Sequence, residues 1–348
     1  MNEAKLNEFM GKLVADMGGA AMIASVILGE ELGFYRAMAH GSAMSPEDLA
    51  KETRCNPRLV REWLSAQAAS GYIEHAEGRF RLPPEHALAL ADENSPVFVA
   101  GGAVVLASMF LDKDKVVAAM RGNGGLPWGD HHPCLFRGTE RFFRSGYLGN
   151  LIQSWLPALD GVVAKLEQGA KVADVGCGHG SSTILMAKAF PNSTFVGSDY
   201  HEGSIATARE RAREAGVDDR VTFEVAPSSS FSGTGYDLVT MFDCLHDMGD
   251  PAGAARHVRS TLAADGTWMI VEPAAGDRVE DNLNPVGRAY YGFSTLLCTP
   301  ASLSQDVGLA LGAQAGEARI RDVVTSGGLT RFRRAAETPF NLVFEARP

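Results

Sequence analysis

The stretch VADVGCGHG, residues 172–180, limits the fold more than any other part of the chain. A short apolar run ends in Gly176, Gly178 and Gly180, and SSTILMAKAF opens a helix directly after them. Glycines in such a turn let a ligand come up against the backbone and the amino end of the helix. The turn belongs at the carboxyl edge of a parallel sheet, and the chain after residue 150 agrees. KVADV (171–175), TFVGSD (194–199), VTFEVA (221–226), YDLVTMF (236–242) and TWMIVE (267–272) read as strands separated by helical segments. That alternation predicts an α/β, Rossmann-like, doubly wound sheet over residues 151–348. TRFRRAAE and FNLVFEARP predict two further strands, the last antiparallel. Asp199 closes the second strand, where an acid accepts hydrogen bonds from ribose hydroxyls. Alone, the glycines fit a ligand-free turn and Asp199 a solvated strand end. In this order on one sheet edge they point to adenosine.

Residues 1–92 follow a different grammar. Ser45-Pro46 with Asp48 and then Asn56-Pro57 are helix-start signals, a capping box and a cap with proline at the first helical position. YIEH and RFRL, joined at Glu77-Gly78, predict a small hairpin. Helices followed by such a hairpin make a winged helix-turn-helix. The second helix offers only Arg58 and Arg61, opposed by Glu62, and the chain's net charge is −10. A nucleic-acid partner is disfavoured by that field, so the unit reads as a dimerisation module, with the apolar segment 17–39 as interface. Residues 93–150 predict bridging helices around the loop RGNGGLPWGDHHPC. Five scattered cysteines without a CxxC pair predict a reduced, cytoplasmic protein. The longest apolar stretch, 97–111, is shorter than the roughly 20 residues a membrane span needs.

One histidine stands between two aspartates in MFDCLHDMGDP, just past the fourth strand. His246 could be a general base, a metal ligand, a neighbour of a helix cap or a structural polar residue. Asp250-Pro251 predicts the next helix start, and Asp247 reads as its approach.

VADVGCGHG, the acid of FVGSDYHEG, LHDMGDP, ADGTWMIVEP and the closing antiparallel pair together resemble a class I S-adenosylmethionine-dependent methyltransferase with an N-terminal winged-helix dimerisation domain. The resemblance covers nearly the whole chain and is closest to small-molecule O-methyltransferases. It implies S-adenosyl-L-methionine as cofactor and a small, aromatic or apolar acceptor. Asp174, Gly176 and Gly178 would line the methionine portion, with Cys177 and Gly180 in the same loop. Asp199 would hold the ribose, Tyr200 would flank the adenine, and Ser228 or Ser229 would stand where many relatives carry an adenine-binding acid. His246 would be the general base and Glu272 its orienting acid. Phe242, expected on the cofactor side, takes the place of a lysine common in relatives, and Asp243 is an added acid on the same side.

Trp128, His131, His132, Phe136, Arg141, Phe143 and Tyr147 lie in the segment that covers the acceptor pocket in such folds, and Tyr290, Tyr291, Ser294 and Cys298 in the helices after strand five. Each also fits ordinary packing. His131, His132 and Cys134 raise the question of metal, but adjacent side chains rarely converge on one ion and no metal is expected. The alternative to an enzyme is a DNA-binding regulator whose Rossmann-like domain senses a metabolite; an oxidoreductase using the same loop for a nicotinamide cofactor is the third reading.

Overall fold

The computed structural model describes every residue but 123, which lies in the predicted bridging loop and outside the described residues. The chain divides into two compact units, residues 1–110 with 133–149, and 111–132 with 150–348. The segment expected to bridge them is thus shared out rather than forming a third body.

The first unit contains α1 (Glu3–Glu31), α2 (Phe34–Met38), α3 (Pro46–Thr53), α4 (Pro57–Ala69), β1 (Glu74–Ala76), β2 (Arg79–Arg81), α5 (Pro84–Leu90) and most of α6 (Ala100–Leu111). Next along the chain, α7 (Lys113–Arg121) belongs to the second unit and most of α8 (Cys134–Asn150) to the first. The capping box at Ser45 and Asp48 forms, and Asn56 accepts from the N–H groups of Arg58 and Leu59. Glu77 and Gly78 both take positive φ, which sets the tight turn of the hairpin. Trp63 and Leu64 of α4 pack with Phe34, Tyr35 and Met38 into the core of this unit. A Cβ at Gly29 would come 2.4 Å from the Trp63 ring, so only glycine lets α1 lie this close to α4. Farther toward the N-terminus, α1 is exposed. By length and composition it is the one described helix that could cross a membrane, so the stretch 97–111 is not the strongest candidate after all.

The second unit continues with α9 (Val162–Gln168), β3 (Lys171–Val175), α10 (Ser181–Ala189), β4 (Thr194–Asp199), α11 (Glu202–Glu214), β5 (Val221–Val225), β6 (Tyr236–Phe242), α12 (Pro251–Thr261), β7 (Leu262–Pro273), α13 (Pro285–Phe293), α14 (Thr299–Leu303), α15 (Gly316–Ser326), β8 (Arg331–Glu337) and β9 (Asn341–Arg347). The sheet order is β5-β4-β3-β6-β7-β9-β8. β5 through β7 are parallel, while β9 and β8 add antiparallel strands. Val239, Met241, Trp268, Ile270 and Phe344 fill the core, as expected for strands covered on both faces. From β3 the chain builds outward to β4 and β5, then returns to place β6 on the other side of β3. The crevice between the carboxyl ends of β3 and β6 is therefore the switch point where open α/β sheets bind ligands.

Candidate active site

The glycine loop leaves β3 at this crevice, and its three glycines differ in what they do. A Cβ at Gly176 would meet the Cys244 sulfur at 2.7 Å, and one at Gly180 would meet the Phe223 ring at 2.6 Å. Both are small because neighbours press on them. A Cβ at Gly178 would meet nothing within 4 Å, and its φ of 51° lies in the left-handed region. Gly178 is thus the glycine that faces open space. Its N–H donates to Asp199 Oδ2 at 3.0 Å, and the N–H of His201 donates to Oδ1 at 2.8 Å. The two bonds fix the carboxylate and leave each oxygen a lone pair for a further donor. Tyr200, next to it, is 49% exposed, and Ser228 is half-buried in the turn after β5.

Two residues expected on this side are buried. Asp174 is buried and bound by Ser182 at 2.6 Å, Thr183 at 2.5 Å and Thr240 at 2.9 Å. It ties β3 to α10 and β6 and does not line the open side of the loop. Burial raises its pKa against those hydrogen bonds. Cys177 is buried as well, its sulfur beneath Gly197. Both side chains are buried within the fold.

Past β6, a single turn at Leu245–Asp247 carries His246 into the same crevice. His246 is 3% exposed, with Nδ1 at 2.5 Å from Glu272 Oε2. Glu272 Oε1 accepts the N–H of Leu245 at 3.0 Å, so both carboxylate oxygens grip one turn. On the other side of the ring, Nε2 lies 3.2 Å from Asp247 Oδ1. Burial works against a charged imidazole here, but Glu272 and then Asp247 outweigh it and hold the pKa well above the usual histidine range. Burial raises the Asp247 carboxyl in turn, with His246 and Cys298 pulling it back. Asp247 therefore does not serve the next helix; Asp250 does, accepting from the N–H of Gly253 at 2.7 Å. Asp243 turns away from the glycine loop, since its Oδ1 takes the Asn341 amide of β9 at 2.9 Å. Burial first and Glu272 second push its pKa well up. Its assignment to the cofactor side gives way to a place beside Glu272. Phe242 stacks on Trp155 at 6.4 Å and closes the strand end.

Residues 166–305 match the family described as "Methyltransferase domain", and residues 18–92 match the "Rv2258c-like winged HTH domain". Residues 166–305 thus form a methyltransferase domain, and a winged-helix domain precedes it. Among curated relatives it is 33% identical over 182 residues to 27-O-demethylrifamycin SV methyltransferase of Amycolatopsis mediterranei, covering 51% of this chain and 53% of that protein. The match thus spans about half the length of that relative. The fold also matches a mitomycin 7-O-methyltransferase, with TM-score 0.70, 18% identity and 100% of each chain covered. Human N-acetylserotonin methyltransferase in complex with S-adenosylmethionine matches with TM-score 0.70 at 15% identity, over 97% of each chain.

The acceptor-side residues expected from the sequence fall in both units. Trp128, His131 and His132 belong to the second unit, whereas Phe136, Arg141, Phe143 and Tyr147 sit on α8 in the first. Arg141 is engaged by Glu30 and, at 2.6 Å, by Glu93, which makes it a strut between α8 and the helices around it. The Ser294 hydroxyl accepts the N–H of Ala313 and pairs with Thr299 at 3.1 Å, an internal packing role. Tyr290 is buried and donates to the Phe340 carbonyl at 2.9 Å, and Tyr291 is half-buried beside it. Cys298 does join the site. The ligating atoms of His246, Asp247 and Cys298 lie within 4.8 Å of one another. Burial, then Asp247, pushes its thiol up to about 12, so it keeps its proton. Sequence reasoning missed Asp247 as a partner of His246 because neighbouring side chains seldom meet. Only a tight single turn brings these two together.

Proposed function

We propose that this methyltransferase moves a methyl group from S-adenosyl-L-methionine to a hydroxyl of a small, aromatic or apolar acceptor. One observation carries the reading: an acid fixed by backbone N–H groups at the glycine loop and a buried histidine between two carboxylates share the crevice of the sheet. The open side of Gly178 and the held carboxylate of Asp199 fit an adenosyl group, the first as clearance and the second as acceptor for ribose hydroxyls. When bound, the cofactor supplies an electrophilic methyl on sulfur. The chain's own part is to align the acceptor hydroxyl and receive its proton. Glu272, His246 and Asp247 act together, the ring receiving the proton while it sits between the two carboxylates. Calorimetry with S-adenosylhomocysteine and with NADH, followed by a mass screen of acceptors for a methyl gain, tests the function. Binding of NADH in preference to S-adenosylhomocysteine sinks it.

The protein is proposed to act as a homodimer in a reducing, cytoplasmic setting, which its five free cysteines support. On α1, Leu6, Phe9, Met10, Leu13, Val14 and Met17 recur at helical spacing, with Phe9 58%, Val14 62% and Met17 66% exposed. A continuous apolar stripe of this kind suits a second copy of the chain. Ion pairing of Arg58 with Glu62 and of Arg61 with Glu47 takes up the basic groups of α4 and supports this reading over DNA contact. Phe9→Asp with Val14→Asp is expected to convert the dimer to monomer in light scattering with circular dichroism unchanged, since two charges would have to be buried. A wild-type chain that is monomeric at the same concentration refutes the dimer.

A further inference from the structure

We propose that His131 is a recognition residue of the acceptor site, its Nε2 taking a hydrogen bond from a second hydroxyl on the methyl acceptor. The inference rests on the function proposed above and narrows its substrate class to acceptors with two hydroxyl groups.

His131 is 3% exposed, and its Nδ1 lies 3.0 Å from Asp112 Oδ2. Burial works against the charge of Asp112, but Lys115, at 2.8 Å, and the N–H of His132, also at 2.8 Å, outweigh it and keep the carboxyl below its usual range. A carboxylate only accepts, so the His131 proton sits on Nδ1. Burial is also the largest influence on the ring itself and lowers its pKa, which keeps it neutral. Nε2 is then a bare lone pair. It is buried and has no hydrogen-bond partner. A core histidine of purely structural use would have both nitrogens satisfied, because an orphan buried acceptor costs about 1–3 kcal/mol.

The location of this lone pair ties it to the reaction. The strap 124–132 is pinned at one end on α14, where the N–H of Leu126 donates to the Pro300 carbonyl at 2.9 Å and a Cβ on Gly125 would strike that oxygen. Pro300 follows Cys298 by two residues, and Cys298 touches the catalytic trio. Farther along, Gly129 approaches His201, two residues past Asp199. The strap thus runs from the proton-accepting side to the ribose-binding side, and the Asp247 carboxylate is close enough to act on His131. Asp247 Oδ1 is itself buried and lies 3.2 Å from His246 Nε2. The trio takes one donor, and the unpartnered Nε2 of His131 calls for another. A methylated hydroxyl supplies one proton, toward the trio; a second hydroxyl supplies the other, toward His131.

The test uses the full chain saturated with S-adenosylhomocysteine and titrated calorimetrically with phenol and with the three dihydroxybenzenes as probes. At least one dihydroxybenzene is expected to bind on the order of tenfold more tightly than phenol. His131→Phe keeps the ring against Trp128, 6.0 Å away in the native protein, but lacks the lone pair. It is expected to erase that advantage while leaving phenol binding unchanged, and His131→Gln, which retains an acceptor oxygen, to restore part of it. Equal affinity for phenol and all three diols in the native protein overturns the proposal. So does a loss in His131→Phe that is the same for phenol and diols, or no binding of any probe. Diol preference that depends on His131 without any methyl gain would instead sink the transfer reading and leave the subsite standing.

Discussion

His246→Ala is expected to lower kcat by a factor of about 10²–10⁴, the usual worth of a positioned proton acceptor, while S-adenosylhomocysteine still binds with native affinity. The separation follows from the geometry: the ring is held by Glu272 and Asp247, and the glycine loop is held by Asp199. Both carboxylates favour the imidazolium, so the group that must lose a proton before it can accept one does so above the ordinary histidine range. The rate should therefore rise with pH on a limb whose midpoint lies above 6.5, the unperturbed value. Glu272→Gln removes one of the charges that hold the proton and should move that midpoint to lower pH, while its amide oxygen still accepts from Nδ1. A pH profile that stays in place in Glu272→Gln, or a His246→Ala enzyme with native kcat, would discard the trio as proton acceptor.

Asp199→Ala is expected to weaken S-adenosylhomocysteine binding by on the order of ten- to a hundredfold, the range for hydrogen bonds to a charged acceptor. Two effects add. The ribose loses its acceptor, and the N–H groups of Gly178 and His201 lose the carboxylate that sets the loop. Calorimetry on the variant, with circular dichroism to establish folding, measures the loss. Undiminished affinity would remove Asp199 from the cofactor site.

Local signals were legible wherever backbone chemistry acts over a few residues. Ser45-Pro46-Asp48, Asn56-Pro57 and Asp250-Pro251 start helices as their caps require, and the strand ranges 171–175, 194–199 and 236–242 match those of the fold. Glu272 was expected beside His246 through the resemblance to the methyltransferases, and the pairing of β6 with β7 brings the two to one sheet edge. Other assignments needed side-chain direction. Asp174 stands two residues before Gly176, yet faces Thr240, Ser182 and Thr183. Asp243 follows the strand that leads to His246, yet swings to Asn341 with φ at 49°. No spacing announces Asp112, nineteen residues before His131.

Sequence alone determined the winged helix, the doubly wound sheet, the glycine turn with Asp199 at its edge, and the place of His246 beyond the fourth strand. These depend on caps, apolar periodicity and strand order, which are written in consecutive residues. Tertiary structure decided which glycine stands open, which aspartate meets the histidine, and that a second imidazole is locked in one tautomer with a bare nitrogen. Those outcomes depend on where each side chain points and on what lies across the crevice from it. Segments far apart in the chain fix both.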